Sequence, residues 1–456
     1  MIVLNPAIHD SPIERLAAFV ADLRLTTIPS ATIRHATVVI RDTLGTLLAG
    51  MAQPENATLA SAAGALGGTG AATVAGSDVR TVAHIAALVN ATAAVPLELD
   101  EGNQFAVNHP SVHVLPAALA TGEDQGASGA QVLEAFIAGY EVAVRVGGAT
   151  RLRDAVHPFG TTAIVGAAAA AAKLHDLAAD QIAEVLRLAA GMTIASSQSA
   201  ANAGASVRNL STGLTAHNGV LAVALHTAGF TGEPEAFERV FGHVLGTGWP
   251  DATLEGVAEG LFINRNYFKL HACSRWNHAP IEAAAAIMAD GPLTPDDIDR
   301  VVVWTYDPAV RLAGRKPSNG YAAKHSIPYN VAARFVLGSN DLDVYTNDAV
   351  ADPYLLDLAE RVDVREDTEL TKLLPDVRAA RVEVTLTDGR TRSAQIDSAP
   401  GGFDNPYDEE VLLAKFRRLA GLMLPDDRIE ELRTVCNELP TLSHISQLTA
   451  LLYTQS

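Results

Sequence analysis

Carboxylates held beside an imidazole fix its tautomer or share its proton. One stretch of this 456-residue chain has the composition for that work. Leu97-Glu98-Leu99-Asp100-Glu101-Gly102-Asn103, followed by Asn108-His109-Pro110-Ser111, sets three carboxylates and a histidine within twelve residues. Glycine and proline keep it from running on as one helix. The plainer reading is a solvated acidic loop ahead of a helix that starts near His109. His109 and His113 stand four apart, which on a helix puts both imidazoles on one face. A zinc pair is nevertheless a poor reading, because the glutamate of HExxH is missing and Pro110 interrupts the turn.

Three further stretches carry reactive side chains. His157-Pro158-Phe159-Gly160 precedes an alanine-rich run, so its imidazole can stand at a helix N-terminus, where a bound carboxylate is favoured; the ordinary alternative is a capping or packed histidine. Lys269-Leu270-His271-Ala272-Cys273-Ser274-Arg275-Trp276-Asn277-His278 gathers two cations, two imidazoles, a thiol and a hydroxyl just before a helix. That group can hold several carboxylates of a ligand, or serve as a polar connector. Cys273 near His278 is a possible nucleophile that no companion motif supports. In Lys324-His325-Ser326-Ile327-Pro328-Tyr329, the tyrosine can donate a proton to a leaving or enolate oxygen, or be an ordinary half-buried residue. The Gly67-Gly68-Thr69-Gly70 cluster reads as a turn, since no lysine follows it.

Composition limits what these groups can serve. With 33 Lys+Arg against 52 Asp+Glu the formal charge is −19, which argues against nucleic acid or an anionic membrane as partner. Residues are 48% hydrophobic but only 5% aromatic, a mixture of alanine, leucine and valine that favours close-packed helices. Two cysteines, Cys273 and Cys436, supply no disulfide framework, and a reducing cytoplasm is the expected compartment. MIVLNPAIHDSPIERL lacks the pattern of a secretory leader. Leu188 to Val207 is uncharged, but its density of hydroxyls and amides predicts a buried, polar-lined helix and not a membrane span.

The elements that must position these residues are mostly helices. Ser11-Pro12-Ile13-Glu14 is a capping box, and helical periodicity follows at about 31–48, 57–66, 79–94, 112–121, 129–149, 160–174 and 178–201. After a helix at 279–289 come strand-like Val301 to Tyr306 and the alternating Arg381 to Leu386, closed by Asp388-Gly389 with a return to Ile396. Helices resume at 408–421 and 427–437. The expected fold is mainly α: a large all-helical domain from 1–262 and 403–456, with an α+β unit of 263–402 inserted.

Taken in order, these motifs resemble the MmgE/PrpD family over most of the chain. Arg41-Asp42-Thr43-Leu44-Gly45 through Ala49-Gly50 is similar to its early helix, and Glu98 to Pro116 to its acidic loop with a following HPS. His157, the stretch from Lys269 to His278, and Tyr329 fall at its further site positions. The resemblance implies a homodimer whose inserted unit is a lid, and metal-free, cofactor-free chemistry on di- or tricarboxylic acids at the interdomain cleft. It assigns catalysis to Asp100, His109, His157, Lys269 and Tyr329, and substrate binding to Glu98, Arg208, His217, Ser274 and Arg275. Arg208 and His217 stand where relatives commonly carry lysines. Glu98-Leu99-Asp100-Glu101-Gly102 replaces Asp-Phe-Asp-Asp-Thr, and Ser274 replaces a histidine of the decarboxylase type. These departures weigh against cis-aconitate decarboxylation.

The chemistry implied is removal of a proton next to a carboxylate, as in a 2-methylcitrate dehydratase-like lyase or an iminodisuccinate epimerase-like isomerase. The resulting aci-carboxylate needs cations, for which Arg208, Lys269 and Arg275 are available, and a base tuned toward neutral pH, for which His109 or His157 is. Tyr329 is then the opposing acid. Two rivals are a non-catalytic carboxylate-binding or assembly protein of the same fold, and a metal-dependent hydrolase using the histidines.

Overall fold

Ser11 caps the first helix, its side chain accepting from the Glu14 amide at 3.4 Å with Pro12 at the first helical position, and Pro12–Asp22 buries Ile13, Leu16, Phe19 and Val20. The structure is a computed structural model that describes residues 11–454 apart from 107, 250–259 and 292. Residues 1–10, which open the segment read against a leader, and 250–259 of the helical region lie outside the described residues.

Helices Ser30–Met51, Pro54–Gly67, Ala83–Ala93, Pro110–Asp124, Gly129–Ala149, Ala163–Leu174, Ala179–Gly191 and Val207–Thr227 follow. Gly129–Ala149 opens on a capping box formed by Ser128 and Gln131. It lies so close to Ala163–Leu174 that a Cβ on Gly139 would stand 2.4 Å from the carbonyl oxygen of Gly166. Ala163 through Ala172 are all buried, so this helix is apolar on every side and belongs at the centre of the bundle.

The stretch 188–207 is not one helix. Gly191 ends the Ala179–Gly191 helix, Ser196–Ser197 pairs antiparallel with Val156–His157, and a short turn of helix at Ser199–Asn202 precedes Val207–Thr227. Local hydroxyls compete with helical bonding here: Ser196 Oγ donates to the Phe159 carbonyl at 2.9 Å. The long helix 207–227, which carries buried Arg208, has no counterpart in the sequence reading.

Beyond the bundle, a four-stranded sheet runs in the order Val362–Glu366, Ile298–Thr305, Ala380–Leu386, Thr391–Ile396, with the first pair parallel and the others antiparallel. Val301, Val303, Val382, Val384 and Leu386 alternate inward beneath helices His278–Ala289, Ile327–Leu337 and Pro353–Glu360. One apolar core joins the N-terminal bundle to Glu409–Ala420 and Asp426–Asn437; a second fills the sheet unit. Leu97 and Leu99 of the acidic loop insert into the second core, so the loop lies on the seam. Among the described residues no helix is long and apolar enough to cross a membrane.

Candidate active site

The acidic loop is pinned from several sides. Lys415 Nζ, buried on Glu409–Ala420, donates to the Leu99 carbonyl at 2.7 Å and to Asp42 Oδ1 at 2.6 Å. Lys324 Nζ donates to the carbonyls of Pro96 and Leu97. Tyr140 donates to Glu101 Oε1 at 2.5 Å, and burial pushes that carboxyl up to about 7. Gly102 exchanges backbone hydrogen bonds with Tyr267, at 3.1 and 2.8 Å. A Cβ on Gly102 would stand 2.4 Å from the Tyr267 hydroxyl, so the missing side chain is what admits the phenol. This pairing brings Tyr267 and Lys269 against Glu98 and Asp100.

Asp100 Oδ2 lies 2.6 Å from His109 Nδ1, and Lys269 Nζ lies 3.0 Å from Asp100 Oδ1. Burial alone would raise the Asp100 pKa; Lys269 and His109 outweigh it and hold the group below the usual carboxylate range. An ionised carboxylate at that distance places the imidazole hydrogen on Nδ1. Burial, against the pull of Asp100, keeps His109 below its ordinary pKa, so the ring is neutral near pH 7 with its lone pair on Nε2. That lone pair faces the Tyr267 hydroxyl at 3.3 Å. The arrangement is that of an oriented general base.

His157 is set up the other way. Its Nδ1 accepts from the Phe159 amide at 3.1 Å, and burial with Arg208 nearby keeps the ring uncharged, so the hydrogen is on Nε2. His157 is therefore a donor. Gly160, at φ +91°, lets the chain turn after it. Phe159 is the common wall: His109 meets its ring edge-on at 4.7 Å, His157 at 5.3 Å, and the Arg208 guanidinium stacks 3.8 Å above it.

His109, His157, Phe159, Glu98, Arg208, Ser274 and Arg275 line one cavity of about 60 Å³, with Tyr267, His325 and Arg378 completing the polar wall. At roughly 10–15 Å³ per water the space suits a compact ligand. Glu98 Oε1 lies 2.7 Å from Arg208, with Lys269 3.4 Å from its other oxygen. Burial would raise Glu98; Arg208 and Lys269 reverse that and bring it to about 2. Glu98 also adopts φ +55°, a strained conformation for a residue with a Cβ. His325 donates from Nδ1 to the Tyr321 carbonyl and is brought by burial to about 4.

Lys269 and Asp100 are fully buried behind the cavity wall and touch its lining through Glu98 and His109 respectively. Two further residues assigned by resemblance lie away from the cavity altogether. Tyr329 points into the second core, where its hydroxyl donates to the Val344 carbonyl at 2.5 Å. His217 lies on the far face of its helix, edge-on to His84 at 5.0 Å, with Nδ1 on Asn218. Cys273 is buried and its thiol pushed up by burial to about 12, which removes it as a nucleophile. Sequence reasoning missed Tyr267, His325 and Arg378 as site residues. His325 sat inside a quoted cluster and Tyr267 two residues ahead of another; Arg378 had no local signal. Among the described residues no group of three His, Cys, Asp or Glu side chains is arranged as metal ligands.

The molecule is thus a mainly α protein with a small, cation-lined cavity where its two cores meet. The MmgE/PrpD N-terminal domain matches residues 14–248 and the MmgE/PrpD C-terminal domain residues 271–439, and the chain belongs to that family. It is 26% identical to the cis-aconitate decarboxylase-like protein oryM of Aspergillus oryzae, over 96% of both chains. It is 27% identical to a cis-aconitate decarboxylase of Aspergillus terreus, over 93% of this chain and 92% of that one. A segment covering 32% of this chain and 29% of the relative is 30% identical to the mitochondrial 2-methylcitrate dehydratase of Yarrowia lipolytica.

Proposed function

We propose that this protein is a lyase or epimerase that makes a carbanion next to a carboxylate of a small di- or tricarboxylic acid. The observation that supports this best is the Asp100–His109 pair opening on a cavity with three arginines in its wall. His109 Nε2 takes the proton from carbon. Negative charge then collects on the adjoining carboxylate, and fixed cations in a small, partly dry space stabilise it more than water does. His157 Nε2–H and the Tyr267 hydroxyl are the donors on hand, in place of Tyr329. Protonation of a departing β-hydroxide by either gives dehydration, and reprotonation of carbon from the opposite side gives epimerisation. The names of the relatives put decarboxylation beside these two, although Ser274 and the altered acidic loop argue the other way.

Proton NMR in heavy water tests the reading. With methylcitrate, citrate, cis-aconitate and iminodisuccinate, and the dicarboxylates succinate and malate, offered in turn, at least one is expected to exchange its α-hydrogen or turn over, and His109→Ala to abolish it. Saturable binding without exchange of any of them would leave a carboxylate-binding protein in place of an enzyme.

A further inference from the structure

The cations at the cavity fall into two classes. Arg208 and Lys269 are already matched by carboxylates of the protein, Glu98 on both and Asp100 on Lys269. Arg275 and Arg378 are not. Arg275 gives its guanidinium hydrogens to the carbonyls of Ala399 and Pro400, and Arg378 to that of Gln104; among the described residues neither pairs with a carboxylate. Both flank the Tyr267 ring, with guanidinium carbons 5.0 and 5.9 Å from its centroid. The remaining imidazoles in the wall, His109, His157 and His325, are neutral near pH 7 because burial holds them below their ordinary values.

Of these four cations, Arg275 and Arg378 are left without an ion-paired carboxylate among the described residues, and both stand beside the phenol that meets His109. Both guanidiniums are half-buried in the cavity wall, where a charge without a counter-ion is partly desolvated, and a ligand that supplies one is favoured for that reason. A third carboxylate on the ligand would have to compete with Glu98 for Arg208. Glu98 holds its place at the cost of a left-handed backbone, and an aspartate there would be one methylene shorter.

We infer that Glu98 sets the charge of the substrate, neutralising Arg208 so that the site selects a dicarboxylate held by Arg275 and Arg378 over a tricarboxylate. The inference rests on the proposed carbanion chemistry for its biological meaning but is read by binding alone. Isothermal titration calorimetry would compare succinate with propane-1,2,3-tricarboxylate, which adds one carboxylate to a similar backbone. The wild-type protein should bind succinate about ten-fold tighter or more. Glu98→Gln should move that ratio at least ten-fold toward the tricarboxylate. Should Glu98→Gln not fold, Arg378→Gln decides: it should lose ten-fold or more in succinate affinity. A wild-type preference for the tricarboxylate, an unchanged ratio in folded Glu98→Gln, or unaltered succinate binding in Arg378→Gln each overturns the inference. Absence of α-hydrogen exchange would count against the proposed reaction and leave this selectivity standing; turnover with a reversed selectivity would do the opposite.

Discussion

His109 Nδ1 stands 2.6 Å from Asp100 Oδ2, while the opposite nitrogen of the same ring meets the Tyr267 hydroxyl at 3.3 Å. One imidazole thus links a buried carboxylate to the cavity, and its tautomer is set from behind.

Replacing Asp100 with Asn tests that relation. The amide can turn its NH2 toward His109 and force the hydrogen onto Nε2, which removes the lone pair from the cavity. We expect kcat to fall by roughly 10²-fold or more, with a much smaller change in KM. Steady-state kinetics on whichever acid proves to be the substrate will check it, and a kcat within three-fold of wild type would show that Asp100 does not orient the base.

The pH profile carries a sign. His109 must be neutral to accept a proton, and burial holds it below its ordinary 6.5. The acid limb of kcat/KM should therefore lie below pH 6.5, and a limb centred above pH 7 would assign the base to another group. Stability should follow a related course. His113 and His325 are both brought by burial to about 4 when folded, below their unfolded value of about 6.5. Folded stability from these groups is present above about pH 6.5 and is lost as pH falls toward 4, because the unfolded chain binds the protons. Urea titrations at pH 7, 5.5 and 4.5 should show decreasing unfolding free energy.

What was legible in the sequence was the part set by local chain geometry. His109 and His157 each sit beside a proline ahead of a helix, and both reach the cavity. The paired strands closed by Asp388-Gly389 were equally plain, since alternation and turn chemistry are local. Tyr267 was not legible, because its place depends on backbone pairing with Gly102 and on the absence of a Cβ there. Arg378 arrives by a long-range bond to the Gln104 carbonyl. The break in 188–207 was missed because uncharged residues satisfied helical periodicity while their hydroxyls bonded elsewhere.

The helix Glu409–Ala420 reaches the site through buried Lys415. Lys415 holds both Asp42 and the Leu99 carbonyl, and its removal leaves Asp42 buried without its partner. Lys415→Met should cost about 3 kcal/mol or more of unfolding free energy. Lys415→Met with Asp42→Leu should recover much of that, since the lone charge is gone. Chemical denaturation of the single and double variants will decide, and equal losses in both would place the cost in packing.

Tyr329 and Tyr267 should behave oppositely. Tyr329 is tied to the Val344 carbonyl inside the second core, away from the cavity. Tyr329→Phe should cost on the order of 1 kcal/mol of stability and leave kcat within about two-fold. Tyr267 lines the cavity against His109, so Tyr267→Phe should lower kcat by roughly 10²-fold if its hydroxyl returns the proton. Gly102→Ala should echo the Tyr267 loss, because a methyl there occupies the position of the phenol. Parallel kinetics of the three variants will separate the roles. A ten-fold or greater loss in Tyr329→Phe, with Tyr267→Phe unaffected, would return the acid to the helix start at Ser326 and require the second core to open during turnover.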